Sequence, residues 1–244
     1  MVAVVLAGMA AGTINTVVGS GTLITFPVLL AVGFSPLVAN VSNTIGLVPG
    51  SVSGAIGYRR ELAGQRTRVF RLGTAAALGG TTGGVLLLVL PESAFKAIVP
   101  LFIAAALVLI VLQPRLSAWV AKRRGEVHEH RKAAAAATYA TGIYGGYFGA
   151  AQGILLLGTL GVALPEPLQR LNALKNVLAG LVNLVAGVIF VFVAPVAWNA
   201  ALLVACGSVV GGVLGSRFGR RLSPTALRGI IVVVGLVAIA QLVF

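Results

Sequence analysis

The chain contains no aspartate, and its five acidic residues, Glu61, Glu92, Glu126, Glu129 and Glu166, are all glutamate. Each falls in or beside a break in the apolar pattern, so none is available at a membrane centre. A proton relay of the Asp/Glu kind, or a carboxylate cage for a divalent cation, has no residues to be built from. Cysteine is as scarce: Cys206 stands alone, which excludes a disulfide framework and reads as a small buried hydrophobe. His128 and His130 sit in a charged stretch, and an H-x-H there reads as solvated loop, not as a metal site. There is no G-x-S-x-G, no H-E-x-x-H and no phosphate-cradling loop ending in Gly-Lys-Ser/Thr. Neither catalysis nor a cofactor nor a metal is expected.

What is present is apolar. Hydrophobic residues make up 58% of the 244 and charged ones 9%, where a soluble domain carries roughly a quarter charged. Mean hydropathy is +1.03, and the 32 glycines follow no G-X-Y period. With too little polar surface to cover a globule, the chain reads as an integral membrane protein whose first partner is the lipid bilayer.

A net charge of +13 would raise the question of nucleic acid in a soluble protein, but the positions of the cations exclude it. Arg59, Arg60, Arg66, Arg68 and Arg71 share one interhelical stretch. Arg115, Lys122, Arg123, Arg124, Arg131 and Lys132 share a second, and Arg217, Arg220, Arg221 and Arg228 a third. The positive-inside rule places such stretches, 59–71, 113–132 and 217–228, in the cytoplasm.

Splitting the sequence at charge clusters and Pro/Gly breaks leaves apolar segments near 2–18, 22–33, 37–57, 70–90, 94–112, 133–150, 153–164, 168–193, 196–216 and 225–243. Six of these reach the roughly 20 residues a helix needs to span a bilayer core. The other four form two pairs of short halves, joined at Gly19-Ser20-Gly21-Thr22 and at Ala151-Gln152-Gly153. The first segment begins at Met1 with no basic region before it, and its pattern recurs later, so it is read as mature structure and not as a signal peptide.

That recurrence is an internal repeat. At an offset of 132 residues Gly21 falls on Gly153, Asn40 on Asn172, Gly79-Gly80 on Gly211-Gly212, Gly83 on Gly215 and Lys96 on Arg228. Apolar similarity by chance accounts for aliphatic matches but not for these. The Arg-rich stretch 59–71 corresponds to the uncharged turn Ala194-Pro195-Val196, and the turn near Pro91 corresponds to the basic stretch 217–228. Equivalent loops therefore lie on opposite sides of the membrane, as in the inverted repeats of many secondary transporters. The reading is an all-α polytopic membrane protein with two inverted-topology repeats, residues 1–112 and 133–244, joined by a basic cytoplasmic linker, 113–132. Each repeat holds three full spans plus one broken helical pair, about eight membrane segments in all. Inversion needs an odd number of crossings per repeat, which favours a re-entrant pair; halves that cross separately would preserve the same parity.

Non-helical backbone at membrane depth survives only where protein covers it or a polar cavity adjoins it, so the two breaks are the leading site candidates. Ser20, Gly21, Thr22, Gln152 and Gly153 supply tight turns and hydrogen-bonding groups. Helices starting at Thr22 and Ile154 would direct free N–H groups and positive dipole ends into the break, favouring an anion. The alternative is a pair of packing kinks. A second set follows at helical spacing: Asn40, Asn43 and Thr44 in one repeat, Asn172, Lys175 and Asn176 in the other. Lys175 is the only cation placed inside the bilayer, as a ligand contact or snorkelling toward Arg170 and the interface.

These residues resemble the sulfite exporter TauE/SafE family. The first repeat is similar through Gly8-Met-Ala-Ala-Gly12, Gly19-Ser-Gly21, Phe26-Pro27, Gly33, Ala39-Asn40 and Ser53-Gly54 with Tyr58-Arg59-Arg60. The second is similar through Gly142-Ile-Tyr-Gly-Gly146, Gly153, Asn172 and Gly211-Gly212-Val-Leu-Gly215-Ser-Arg-Phe. The resemblance implies a bacterial or archaeal inner-membrane carrier of seven or eight segments for sulfite, organosulfonates or related sulfur anions, with the breaks and the Asn positions lining the path. Where the family commonly carries a denser Gly run at the breaks, Ser20 and Ala150-Ala151-Gln152 stand here. The function expected is secondary transport of a small sulfur oxyanion such as sulfite, thiosulfate or a sulfonate. The alternatives are a non-transporting membrane scaffold or a passive channel for a small solute. Oligomeric state stays open, since small-residue faces such as Gly8/Gly12 and Gly79/Gly83 serve packing within or between chains.

Overall fold

A computed structural model of the chain describes residues 1–122, 129–218 and 224–243. Arg123, Arg124, Glu126, His128, Arg220 and Arg221 of the basic clusters lie outside the described residues. The described residues form ten helices and no strand: α1 (Val2–Val17), α2 (Thr22–Ala31), α3 (Pro36–Gly57), α4 (Arg66–Val89), α5 (Glu92–Lys122), α6 (Arg131–Tyr147), α7 (Gln152–Ala163), α8 (Leu168–Val193), α9 (Trp198–Phe218) and α10 (Pro224–Val243). Helices α3, α4 and α5 begin at Pro36, Arg66 and Glu92. Helices α8, α9 and α10 begin at Leu168, Trp198 and Pro224, in each case 132 positions later.

The outer surface is apolar, and polar side chains are buried among an apolar core. Phe70, Val89, Leu101, Phe192, Val193 and Val233 are more than three-fifths exposed, whereas Thr16, Ser20, Asn43, Gln152, Lys175 and Ser208 are buried. Water would penalise such a surface; lipid stabilises it. Among the described residues α4, α5, α8 and α9 are long and apolar enough to cross a membrane. Helix α3 has the length, but its buried Asn40, Ser42, Asn43, Thr44 and Ser51 lower its hydropathy. The molecule is a multi-pass helical membrane protein.

Close helix crossings rest on glycine. Helix α1 lies along α9 and helix α6 along α4. A Cβ on Gly12 would stand 2.3 Å from the Ser208 carbonyl oxygen, and one on Gly83 2.0 Å from that of Ile143. The Gly8/Gly12 and Gly79/Gly83 faces are thus used inside the chain, where small residues let backbones approach. Several other contacts also come in matching pairs: α1 on α2 with α6 on α7, α2 on α3 with α7 on α8, α10 on α2 with α5 on α7.

Three expectations change. Helix α5 continues through Pro114 to Lys122, so much of the stretch 113–132 is helical; a Pro kink costs one hydrogen bond, which neighbouring groups can replace. Helix α4 starts at Arg66, which puts Arg66, Arg68 and Arg71 on its first turns. Cys206 is exposed, because α9 turns its glycines Gly207, Gly211 and Gly215 toward α1 and leaves the sulfur on the outer face.

Candidate functional site

Each short pair folds back on itself. Helix α1 ends at Val17, and the chain turns at Gly19, whose φ of +90° suits a residue without a Cβ. Helix α6 ends at Tyr147, and the turn runs through Gly149 (φ +78°) and Ala151 (φ +58°). The left-handed conformation costs an alanine about 1–2 kcal/mol, so packing must hold Ala151 there. In the second pair the two outer ends also meet, the His130 N–H donating to the Ala163 carbonyl at 3.0 Å. Both breaks come together in the middle. The Gly153 N–H donates to the Gly19 carbonyl at 2.9 Å, and a Cβ on either glycine would lie 2.4 Å from the other's Cα.

Helix α7 starts at Gln152, two positions before the expected Ile154, and its first amides are not free. Gln152 donates to Gly149, Gly153 to Gly19, and Ile154 to Ala151. The tight turn at Gly149–Ala151 and the close approach of Gly19 supply these acceptors. At the first break Leu23 and Ile24 are likewise satisfied, by Ser20 and Gly21. The side chains there are less well paired: Ser20 Oγ and Gln152 Nε2 are buried with no hydrogen-bond partner.

Lys175 lies against this junction. A Cβ on Gly153 would be 3.0 Å from its Cδ. Its ammonium donates to the carbonyls of Asn15 (3.1 Å) and Thr16 (3.3 Å), in the last turn of α1, where the helix dipole places partial negative charge. The residue is 1% exposed, so it does not snorkel. Among the described residues no carboxylate forms an ion pair with it; Glu129 and Glu166 are engaged by Arg68, Arg71, Arg131 and Arg170, and Glu92 by Lys96.

The amides of the two trios point mostly at backbone. Asn172 and Asn176 both donate from Nδ2 to the Thr16 carbonyl, at 3.4 and 3.3 Å. Asn40 donates to the Tyr147 carbonyl at 3.0 Å, in the last turn of α6. Thr44 donates back to the Asn40 carbonyl at 2.9 Å. Asn43 differs: its Nδ2 donates to Thr22 Oγ1 at 3.3 Å, and its Oδ1 accepts from Thr25. The amide oxygens of Asn40 and Asn172 are left buried and unpaired. Gly153 and Lys175 thus lie at the contact between the breaks, with Ser20, Gly21, Thr22 and Gln152 in the breaks themselves. Asn40, Asn172 and Asn176 bond to the last turns of α6 and α1, Asn43 bonds to Thr22 and Thr25, and Thr44 bonds back to its own helix. Sequence reasoning missed Asn15, Thr16 and Tyr147, whose carbonyls receive these donors, and Thr25. Asn15 and Thr25 were visible as polar residues within apolar runs; a carbonyl leaves no mark in a sequence.

A separate cluster stands at the outer ends of α4, α6 and α8. Arg68 bridges Glu129 at 2.9 Å and also binds Glu166; Arg71 reaches Glu129 at 3.1 Å, Arg131 reaches it at 3.5 Å, and Arg170 reaches Glu166 at 2.6 Å. Hydrogen bonds from Arg68 and then Arg71 hold the Glu129 carboxyl far below the usual range, at about 2.

A family model described as sulfite exporter TauE/SafE matches residues 4–242. The chain is 26% identical over 237 residues to the "Probable membrane transporter protein ORF9" of Sinorhizobium sp., covering 95% of this chain and 87% of that protein. It is 24% identical over 237 residues to a "Probable membrane transporter protein" of Haemophilus influenzae, covering 97% and 92%. It is 25% identical over 242 residues to the "Probable membrane transporter protein YfcA" of Escherichia coli K12, covering 97% and 87%. No solved structure matches the chain.

Proposed function

The chain belongs to the sulfite exporter TauE/SafE family of membrane transporters, and from that premise we propose that it carries a small sulfur-containing oxyanion, such as sulfite, thiosulfate or a sulfonate, by alternating access between two inverted repeats. The observation that carries the reading is Lys175. A buried ammonium without a carboxylate partner, held where two broken helices touch, is costly in a bilayer. A transported anion offsets that cost while it is bound, and the carbonyls of Asn15 and Thr16 support the ammonium when it is absent. Two of the three ammonium hydrogens are used by these carbonyls, which leaves one for the substrate. The unpaired Ser20 hydroxyl and Gln152 Nε2 add donors to an oxyanion without adding charge.

The repeat reading draws support from the 132-residue spacing of the helix starts and from the matching helix contacts. That His130 and Ala163 join the two ends of the α6–α7 pair favours a pair that enters and leaves on one side. Ion pairs on Arg68, Arg71, Arg131 and Arg170 gather α4, α6 and α8 at the face that the positive-inside rule makes cytoplasmic. In this reading the protein sits in a bacterial inner membrane, with 1–112 and 133–244 as its two halves.

The test is reconstitution into liposomes with sulfite, thiosulfate, sulfate, a sulfonate and chloride offered in turn. Saturable flux of one sulfur oxyanion, lost in Lys175→Ala while the variant stays folded, is the expected result. A folded protein that moves none of them is not this transporter, and non-saturating flux of all of them would make it a channel.

A further inference from the structure

Two cavities away from the breaks meet at one residue. The first is a crevice of about 570 Å³ where α3 gives way to α4, walled by Arg59, Leu62, Gly64, Arg66, Val69 and Phe70. The second is a groove of about 350 Å³ between α3 and α8, walled by Val52, Ala55, Ile56, Val177, Leu181 and Leu184. Arg59 borders both. Helix α4 adjoins them as well, since a Cβ on Gly73 would stand 3.1 Å from Leu181 Cδ1, about one turn beyond Phe70 of the crevice.

The two spaces differ in chemistry. The groove is apolar and faces outward, with Val52 and Ile56 each about half exposed. Of the site residues described above only Asn176 borders it, and its Nδ2 is already given to the Thr16 carbonyl. The crevice carries two cations. Arg59 donates from Nη1 to the Ile56 carbonyl at 3.3 Å, which holds its guanidinium at the end of α3 beside the groove. Among the described residues neither Arg59 nor Arg66 is ion-paired with a carboxylate, whereas Arg68, Arg71, Arg131 and Arg170 all are. Glu61, the acid of this turn, does not wall the crevice. From Ser51 to Arg59 the chain rises roughly 12 Å, close to the roughly 15 Å of hydrocarbon in one leaflet. An anion alone would leave the groove empty, and a neutral chain would leave the arginines without a partner.

We propose that the crevice and groove together hold one anionic phospholipid of the cytoplasmic leaflet, its phosphate against Arg59 and Arg66 and one acyl chain along α3 and α8. Guanidinium groups match phosphate oxygens in pairs of hydrogen bonds, and the positive-inside rule puts this face toward the leaflet rich in anionic lipid. Since α3 and α8 come from different halves of the chain, the lipid also fastens the halves together. None of this depends on what the protein transports.

The experiment uses the full chain in detergent, stripped of lipid and titrated with phosphatidylglycerol or phosphatidylcholine of the same acyl chains, with bound lipid counted by native mass spectrometry. The expected result is one phosphatidylglycerol held tightly and a raised melting temperature when it binds. Arg59→Gln/Arg66→Gln should weaken that binding about thirtyfold and leave phosphatidylcholine unaffected. Lys122→Gln/Arg217→Gln removes the same charge elsewhere and should change little. Ala55→Phe fills the groove and should weaken phosphatidylglycerol as well; if that variant fails to fold, a short-chain phosphatidylglycerol, which cannot fill the groove, takes its place and should bind more weakly. Equal binding of the two lipids, or equal losses in the two double variants, would mean charge attraction without a site and would overturn the proposal. So would glycerol 3-phosphate binding as tightly as the whole lipid, which would make the crevice a site for a soluble anion.

Discussion

The two breaks occupy equivalent places in the chain and touch backbone to backbone, yet they are not chemically equivalent. In the first half, Asn43 turns toward its own short pair and is satisfied by Thr22 and Thr25. In the second, the residue 132 positions on is Lys175, which crosses to the other half and rests on the Asn15 and Thr16 carbonyls. The space around them differs as well. Asn172 borders a polar cavity with Tyr58. Near Asn40 the corresponding region is packed with rings: Phe26 against Phe148 at 5.2 Å, Phe95 against Tyr147 at 5.7 Å, and Phe102 against Tyr144 at 5.2 Å. Phe190, the counterpart of Tyr58 at the same offset, is buried as Tyr58 is but carries no hydroxyl. Asn172 thus borders a small polar cavity and Asn40 a cluster of aromatic rings, with Lys175 against the contact between the two breaks.

The largest effect is expected from erasing the cation. Lys175→Asn gives the second trio the residue that Asn43 supplies in the first, leaving Asn176 opposite Thr44 as the one difference. Charged hydrogen bonds contribute roughly 1.5–3 kcal/mol, so flux of the carried anion should fall about ten- to a hundredfold in liposomes. Adding Asn43→Lys should not restore it, because Asn43 faces the hydroxyls of Thr22 and Thr25 and not the carbonyl end of a helix. Wild-type flux in Lys175→Asn would remove the lysine from the mechanism.

Next comes the contact itself. Gly153→Ala places a Cβ 2.4 Å from Gly19 Cα, and overpacking of that kind costs about 1–3 kcal/mol. Gly19→Ala adds the strain of a positive φ. Gly33→Ala is the control: its φ is +100° but nothing lies within 4 Å, so only the backbone cost of about 1–2 kcal/mol remains. Apparent melting temperatures should therefore rank wild type above Gly33→Ala and Gly33→Ala above Gly19→Ala. If Gly19→Ala melts no lower than Gly33→Ala, the breaks are not pressed together as described.

The helices and the breaks could be read in the sequence because both depend on local chemistry. Apolar runs of spanning length, the Gly19–Thr22 and Ala151–Gly153 interruptions, and the matched Asn40 and Asn172 all follow from residue type and spacing. The pairing of the site could not. Lys175 reaches Thr16 across 159 positions, and the acceptor is a backbone oxygen that any residue would provide. The same holds for α7: its start carries the residues of an open helix end, but the Gly19 carbonyl fills it. Cys206 shows the limit in another way. Whether a small apolar side chain faces protein or lipid depends on which face of α9 the glycines claim, and in a helix that is apolar all round the sequence pattern does not mark it.

The smallest effect concerns the two membrane faces. One is fastened by Glu129 and Glu166 with four arginines; among the described residues the other face has the exposed pair Lys96–Glu92. The Glu129 carboxyl titrates at about 2 in the folded protein against 4.5 in its ordinary state. Its folded value is depressed, so its contribution is complete above about 4.5 and is lost as pH falls toward 2. Replacing it by Gln removes the charge at every pH. Wild type should therefore melt above Glu129→Gln by a constant margin near neutrality, and that margin should close between about pH 4.5 and 2. Because the group is partly exposed and screened by solvent, the margin is modest. Glu92→Gln, on the face without a cluster, should show no such closing margin, since an exposed i,i+4 pair contributes only about 0.3–0.5 kcal/mol. Parallel behaviour of the two variants would mean that the cluster does not fasten α4, α6 and α8 together, and that the difference between the faces is one of charge count alone.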